Sequence, residues 1–210
     1  MKTKITLILL CALLAAGACR PSPQGGTTAV EPGTNAVIET IMSRRSIRQY
    51  TGVPVGRDTM DVILRCGINA PNGQNKQSWA VRVVDNPEWL HGLASALAGE
   101  GMSAEDVLQR GFRGAPTVAF IAKDTSYPFS ETDCGLLTEN MLLSAWSLGI
   151  GSICLGGVAR QIAGTPAAQP YLDRLQFGDG FELVLCVGFG YPAEQPEARP
   201  RDDSKYRFID

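Results

Sequence analysis

Residues 117–122 read Thr117-Val118-Ala119-Phe120-Ile121-Ala122, an unbroken apolar run held between Pro116 and Lys123. A run of that length without polar alternation has no face to offer water, so it predicts a central strand covered on both sides. Phe181 to Val187 is the strongest strand candidate of the chain. Between the two, Leu136, Leu137, Met141, Ala145 and Leu148 mark a long helix from about Thr132 to Leu148, which Gly149 stops. Buried strand, core helix and buried strand in succession imply a sheet with helices stacked on it.

The flanking segments follow the same logic. Val37, Ile38, Ile41 and Met42 recur at helical spacing, as do Met60, Ile63, Leu64, Gly67 and Ile68, giving two amphipathic helices parted by a loop containing Pro54. In Trp79–Val84, Trp79, Val81 and Val83 alternate with Ala80 and Arg82, the period of a strand with one wetter face. Asn86 caps a helix with Pro87 at its first position, Leu90, Leu93, Ala94 and Leu97 as its buried stripe and Gly99 as its stop. A short strand around Ser152–Leu155 precedes Gly156 and Gly157, and a helix lies beyond Val158. The class is a mixed α/β or α+β sandwich with helices covering a small sheet.

Of the 210 residues, 44% are hydrophobic and 19% charged, which predicts one catalytic domain with a sizeable core. A net charge of -2 gives no general attraction to nucleic acid or an anionic membrane, so any anion site must be local. Lys2 and Lys4 precede an uncharged apolar run from Ile5 to Ala16, too short for a comfortable membrane span, followed by the small residues Ala16, Gly17 and Ala18. Residues 1–18 therefore read as a signal peptide and the mature chain as exported. Cys19 follows at once, in an order that resembles a bacterial lipobox, with Ala16 where leucine is usual. That resemblance implies a membrane-anchored lipoprotein, periplasmic or at the cell surface, acylated at Cys19. Residues 19–34, rich in Pro, Gly, Ser and Thr, make a flexible tether, and the folded domain covers 35–210.

Cysteine and histidine placement works by exclusion. Cys66, Cys134, Cys154 and Cys186 are scattered and form no CxxC pair, and His91 is the sole histidine. A zinc site of the usual Cys/His kind would have to be assembled from isolated residues, and a Ser-His-Asp triad has a single candidate base. His91 lies beside the apolar stripe of its own helix, where an exposed surface histidine is expected.

Three segments could carry chemistry. Ser43-Arg44-Arg45-Ser46-Ile47-Arg48-Gln49-Tyr50 gathers guanidiniums and hydroxyls at a helix end, a set that suits a phosphate, and also suits a solvated basic end meeting a helix dipole. Ala70-Pro71-Asn72-Gly73-Gln74-Asn75-Lys76-Gln77-Ser78-Trp79 is a carboxamide-rich loop leading into a strand. Its side chains both donate and accept, as reading a heteroaromatic edge requires, although an Asn/Gly turn needs no ligand. Gly149-Ile150-Gly151-Ser152-Ile153-Cys154 is no dinucleotide loop, because it follows a helix and has cysteine at the third glycine position. Gly156-Gly157 instead permits close backbone approach to something flat.

In order and spacing these segments resemble the nitroreductase family of FMN-dependent oxidoreductases. The resemblance runs from residue 37 to the C-terminus through Arg44-Arg45-Ser46-Ile47-Arg48, Ala70-Pro71 with Asn75, Gln77 and Trp79, Glu139-Asn140-Met141-Leu142-Leu143 leading to Gly149-Ile150-Gly151-Ser152, and Gly190-Tyr191-Pro192-Ala193-Glu194. It implies an α+β fold, a three-layer α/β/α sandwich on a mixed, mainly antiparallel sheet, in an intertwined homodimer with FMN at the interface. It further implies that Arg44, Arg45, Ser46 and Arg48 grip the FMN phosphate and ribityl chain. Asn75 and Gln77 would approach ring or ribityl atoms, Leu155, Gly156 and Gly157 would lie along the flavin, and Arg199 and Arg201 would complete the phosphate site, with Lys205 and Arg207 as the fallback. Ser78 stands where proline often precedes the tryptophan, Gly156 where some members carry glutamate, and the 99–114 segment is short for a substrate lid.

The activity implied is ping-pong hydride transfer from NADH or NADPH through flavin N5 to a small acceptor such as a nitroaromatic or quinone, with no side-chain acid or base required. The rival is a surface lipoprotein that keeps the fold as a flavin-binding or scaffold module without turnover. The lipobox-like order predicts that Cys19→Ser moves the protein from the membrane fraction to a soluble or uncleaved form on fractionation. An unchanged membrane fraction with the same N-terminal mass in both proteins would refute acylation.

Overall fold

Residues 117–124 form β2 (Thr117–Asp124), flanked on both sides by antiparallel partners. The computed structural model describes residues 35–210, so the expected signal peptide and tether lie outside the described residues. The four-stranded sheet has the order β1-β2-β4-β3, with β1 at Trp79–Val84, β3 at Gly151–Cys154 and β4 at Phe181–Gly190. All three ladders are antiparallel, with Trp79 opposite Lys123, Thr117 opposite Phe189 and Ile153 opposite Gly188. An isolated parallel bridge, Ser46 to Ser152, makes the sheet mixed.

The apolar run of β2 is fully buried, and its alternation divides it between two cores. Val118 and Phe120 pack with Leu90 and Leu93 of α3 (Pro87–Leu97), Val107 of α4 (Ala104–Arg110), Val158 and Ile162 of α6 (Gly156–Gly164) and Leu175 of α7 (Gln169–Leu175). Ala119 and Ile121 pack with Met60 and Ile63 of α2 (Arg57–Ile68), Leu137, Met141 and Ala145 of α5 (Ser130–Ser147), and Phe189 of β4. The result is the α/β/α sandwich that the resemblance implied. α5 is the expected core helix, and it begins slightly before Thr132. Asn86 Oδ1 caps α3 by accepting the Trp89 N–H at 2.9 Å, with Pro87 at the first position as anticipated.

Four local expectations change. No residue of α1 (Ala36–Ser43) is buried: Val37, Ile41 and Met42 are 65%, 50% and 68% exposed, so its apolar stripe meets no core in the protomer. Nor does β1 have a wetter face, because all six of its residues are half-buried. Arg82 is covered by the end of α7, donating to the Leu175 and Gln176 carbonyls at 2.8 and 2.7 Å and lying over the Phe177 ring. That guanidinium satisfies carbonyls that the helix end leaves free. The last two differences are α4 and α7 themselves. Each is seven residues long, too short for hydrophobic periodicity to register, and α4 is set by a capping box between Ser103 and Asp106.

Phe120 is wholly buried and meets Trp89 edge-on with ring centroids 5.5 Å apart. Phe120→Ala is expected to cost about 3–5 kcal/mol of folding stability, read as a lowered urea midpoint at unchanged m-value.

Candidate functional site

The strip from Ser43 to Thr51 is strapped onto one edge of the sheet. Trp146 Nε1 donates to Ser43 Oγ at 2.9 Å, tying the end of α1 to α5. The Ile47 N–H donates to the Ser152 carbonyl at 3.1 Å, and the Ile47 side chain is wholly buried. Gly151 makes this seat possible, since a Cβ there would lie 2.9 Å from Ile47 Cγ1. Further along, Tyr50 bridges to Pro192, Thr51 N–H donates to the Tyr191 carbonyl at 3.0 Å, and Ala193 N–H donates to the Gln49 carbonyl at 2.9 Å. The Arg48 N–H donates to the Glu194 carboxylate. Tyr50 donates its hydroxyl to the Ile47 carbonyl at 2.8 Å; burial, reinforced by Glu194, pushes its phenol above the usual range, so it stays a donor. The late Gly-Tyr-Pro-Ala-Glu segment thus holds the arginine strip in place.

This strapping brings the strip beside the C-terminal tail. Arg44, Arg45, Ser46, Arg48, Arg199 and Arg201 line one cleft of about 430 Å³, together with Ile41 and Met42 of α1. None of the five guanidiniums forms an ion pair among the described residues, although Glu197 also lines the cleft. Arg45 donates to the carbonyls of Met42 and Arg44 at 2.8 Å, which aims it along the strip. Lys205 and Arg207 do not line this cleft, and Lys205 instead pairs with Asp202 at 3.6 Å.

A second cleft of about 420 Å³ shares Arg48 and is floored by Leu155, Gly156 and Gly157. A Cβ at Gly157 would meet nothing within 4 Å and one at Gly156 only Leu185 Cδ1 at 3.8 Å, so these glycines leave open space, not tight packing. They also begin α6, whose N-terminus has no side-chain cap. Its first-turn N–H groups are left for solvent or a ligand. Arg110 and Arg113 line the same cleft, and the sequence reading missed both because they sit on and just after the short α4.

Asn75 and Gln77 line neither cleft of their own protomer. They sit in the loop before β1, where Gln74, Asn75 and Gln77 all take left-handed backbone with φ of 54°, 54° and 50°. The loop is pinned from beneath by Asp133 of α5, which is 2% exposed. Asp133 Oδ1 accepts the Gly73 N–H at 3.1 Å and Oδ2 accepts the Ser78 hydroxyl at 2.7 Å. A serine in place of the usual proline therefore serves as one of two anchors. His91 is exposed, with Nε2 3.2 Å from Glu105. The four described cysteines are free thiols; burial pushes Cys134 up to about 12 and raises Cys154 and Cys186 as well.

Asp133→Ala leaves one buried donor, the Ser78 hydroxyl, and one half-buried donor, the Gly73 N–H, without an acceptor and is expected to cost on the order of 3 kcal/mol in chemical denaturation. Faster hydrogen exchange across residues 72–78 should accompany the loss, and an unchanged exchange pattern would show that the loop holds itself.

Comparison with known proteins agrees with this geometry. A model of the nitroreductase family matches residues 41–191. The NADPH-flavin oxidoreductase of Vibrio harveyi is 27% identical over 181 residues, covering 80% of this chain and 70% of that protein. Among solved structures, a nitroreductase with bound FMN from Desulfitobacterium hafniense is similar at a TM-score of 0.73 and 28% identity, over 84% of this chain and 99% of that one. A nitroreductase with bound FMN from Bacteroides fragilis gives a TM-score of 0.72 at 25% identity, over 84% and 100%. Strapped arginine strip, glycine-floored cleft and sandwich fold coincide with a family match across most of the described domain, and the chain belongs to the nitroreductase family.

Proposed function

We propose that the chain is an exported FMN-dependent oxidoreductase that takes electrons from NADH or NADPH and reduces a small acceptor such as a nitroaromatic or quinone. The observation that carries this reading is the pair of clefts joined at Arg48, one rich in unpaired guanidiniums and the other floored by glycine. Their donor chemistry fits FMN. Guanidinium forks match phosphate oxygens, the Ser46 hydroxyl suits a ribityl chain, and the open space over Gly157 admits a flat ring.

Arg44, Arg45, Ser46, Arg48, Arg199 and Arg201 hold the phosphate and ribityl chain in this reading. Leu155, Gly156 and Gly157 lie along the ring, with α6 first-turn N–H groups as donors to its polar edge. Bound FMN supplies the hydride chemistry between nicotinamide and acceptor. The chain's own residues position that group and keep water from its face, the latter through Met102, Val107, Ile153 and Val158 along the second cleft.

A homodimer belongs to the same reading. Ile41 and Met42 are apolar, exposed and beside the phosphate cleft, and the tail exposes Tyr206, Phe208 and Ile209 at 71%, 93% and 77%. Side chains of that kind call for a covering surface, which a second subunit provides. Asn75 and Gln77 then meet the cofactor across the interface, which accounts for their distance from both clefts of their own protomer. A lipid anchor at Cys19, with 19–34 as tether, places the enzyme at a membrane surface.

Purified protein should be yellow and should bleach anaerobically with NADH or NADPH; colourless protein that ignores added FMN would overturn the oxidoreductase reading. Arg44→Ala should weaken FMN binding by about 1.5–3 kcal/mol in fluorescence-quenching titrations of the apoprotein. Riboflavin, lacking the phosphate, should bind both proteins alike, and equal FMN affinities would remove Arg44 from the site.

A further inference from the structure

The phosphate reading leaves two cations of the second cleft unused. Arg110 ends α4 and Arg113 follows it, and both line the cleft floored by Gly156 and Gly157. No aspartate or glutamate lines that cleft, in a chain whose net charge is -2. Arg110 is partly compensated by Asp106 at 3.3 Å, whereas the Arg113 side chain has no hydrogen-bond or ion-pair partner among the described residues.

The turn that carries Arg113 is built to hold it still. The Val107 carbonyl accepts the N–H groups of Gly111 and Phe112 at 2.7 and 3.2 Å, and the Leu108 carbonyl accepts that of Gly114 at 2.9 Å. Phe112, 1% exposed, plugs the turn into the core. Arg113 itself takes left-handed backbone with φ of 60°, which is unfavourable for a residue with a Cβ. Glycine or asparagine would suit that backbone better, so the turn by itself gives no reason for an arginine there.

We propose that Arg113, seconded by Arg110, binds an anionic group on the small reactant that enters the cleft over Gly156 and Gly157. Met102, Val107, Ile153 and Val158 provide apolar walls for the rest of that reactant. The chemical class is an aromatic or heteroaromatic body bearing a carboxylate or phosphate. The proposal rests on the cleft being the reactant site of the enzyme described above. Two sources supply such an anion: an acidic acceptor, or the phosphate attached to the nicotinamide of the donor.

Pairs that set an anion beside an analogue lacking it test this by isothermal titration of the protein as purified. One pair is 4-nitrobenzoate and uncharged 4-nitrobenzyl alcohol; the other is nicotinamide mononucleotide and nicotinamide riboside. The wild type should prefer the anion in at least one pair, and Arg113→Ala should reduce that preference on the order of 10-fold, as loss of a charge-assisted hydrogen bond implies. Arg113→Lys should keep part of it, and Arg65→Ala, on the far exposed face of α2, all of it. Loss in the first pair assigns the anion to the acceptor, and loss in the second assigns it to the donor. No preference in either pair, or a preference that survives Arg113→Ala, would overturn the proposal. The visible spectrum separates the two readings: a colourless protein with an Arg113-dependent preference loses the flavin and keeps the anion site, and a yellow protein without it does the reverse.

Discussion

The burial of β2 on both faces is the constraint from which the rest follows. Its six apolar residues carry almost nothing polar apart from backbone and the Thr117 hydroxyl, which accepts the Val55 N–H at 3.0 Å. Backbone groups so placed must be paired, so a strand is required on each side, and both faces must be covered by helices. That requirement places α3, α4, α6 and α7 on one side and α2 and α5 on the other. It also pushes the functional elements outward. β3 is the short edge strand, and the arginine strip, the start of α6 and the C-terminal segment all gather around it.

The site is therefore a peripheral assembly on a rigid interior. Ile47 is its one deep anchor, fitted against Gly151, while the arginines on either side of it project from backbone fixed by Ser152, Tyr191 and Glu194. Positioning by backbone leaves these guanidiniums without ion pairs among the described residues, and Arg45, Arg48 and Arg201 bond only to nearby main-chain carbonyls. Fixed cations of that kind lose less on binding an anion than mobile ones would, because little ordering remains to be done.

What could be read from the chain depended on the range of the signal. β2, β4 and α5 were legible because runs of apolar residues and helical period are local properties. The arginine strip and the glycine pair were legible as residue types, and the family resemblance supplied their relation in space. Arg110 and Arg113 were not, since seven residues of α4 give too little periodicity to mark a helix, and nothing local shows that its end faces Gly157. Asp133 was hidden for another reason: its value lies in bonds to Gly73 and Ser78, dozens of positions away, and a helical aspartate looks solvent-facing in sequence. The exposed stripe of α1 misled in the opposite direction. Amphipathic period says that a face is covered, and it does not say whether by the same chain or another.

The described free thiols divide by exposure: Cys134 and Cys186 are buried, Cys66 is half-buried and Cys154 is exposed. Disulfide exchange proceeds through the thiolate, and burial pushes Cys134 up to about 12, so its thiol stays protonated near neutral pH. Cys186 is wholly buried and is shifted in the same direction, so once folded these two sulfurs are neither ionised nor accessible to an oxidant. The sandwich thus shields the two sulfurs of its core and leaves Cys154, on the second cleft, as the exposed thiol among the described residues.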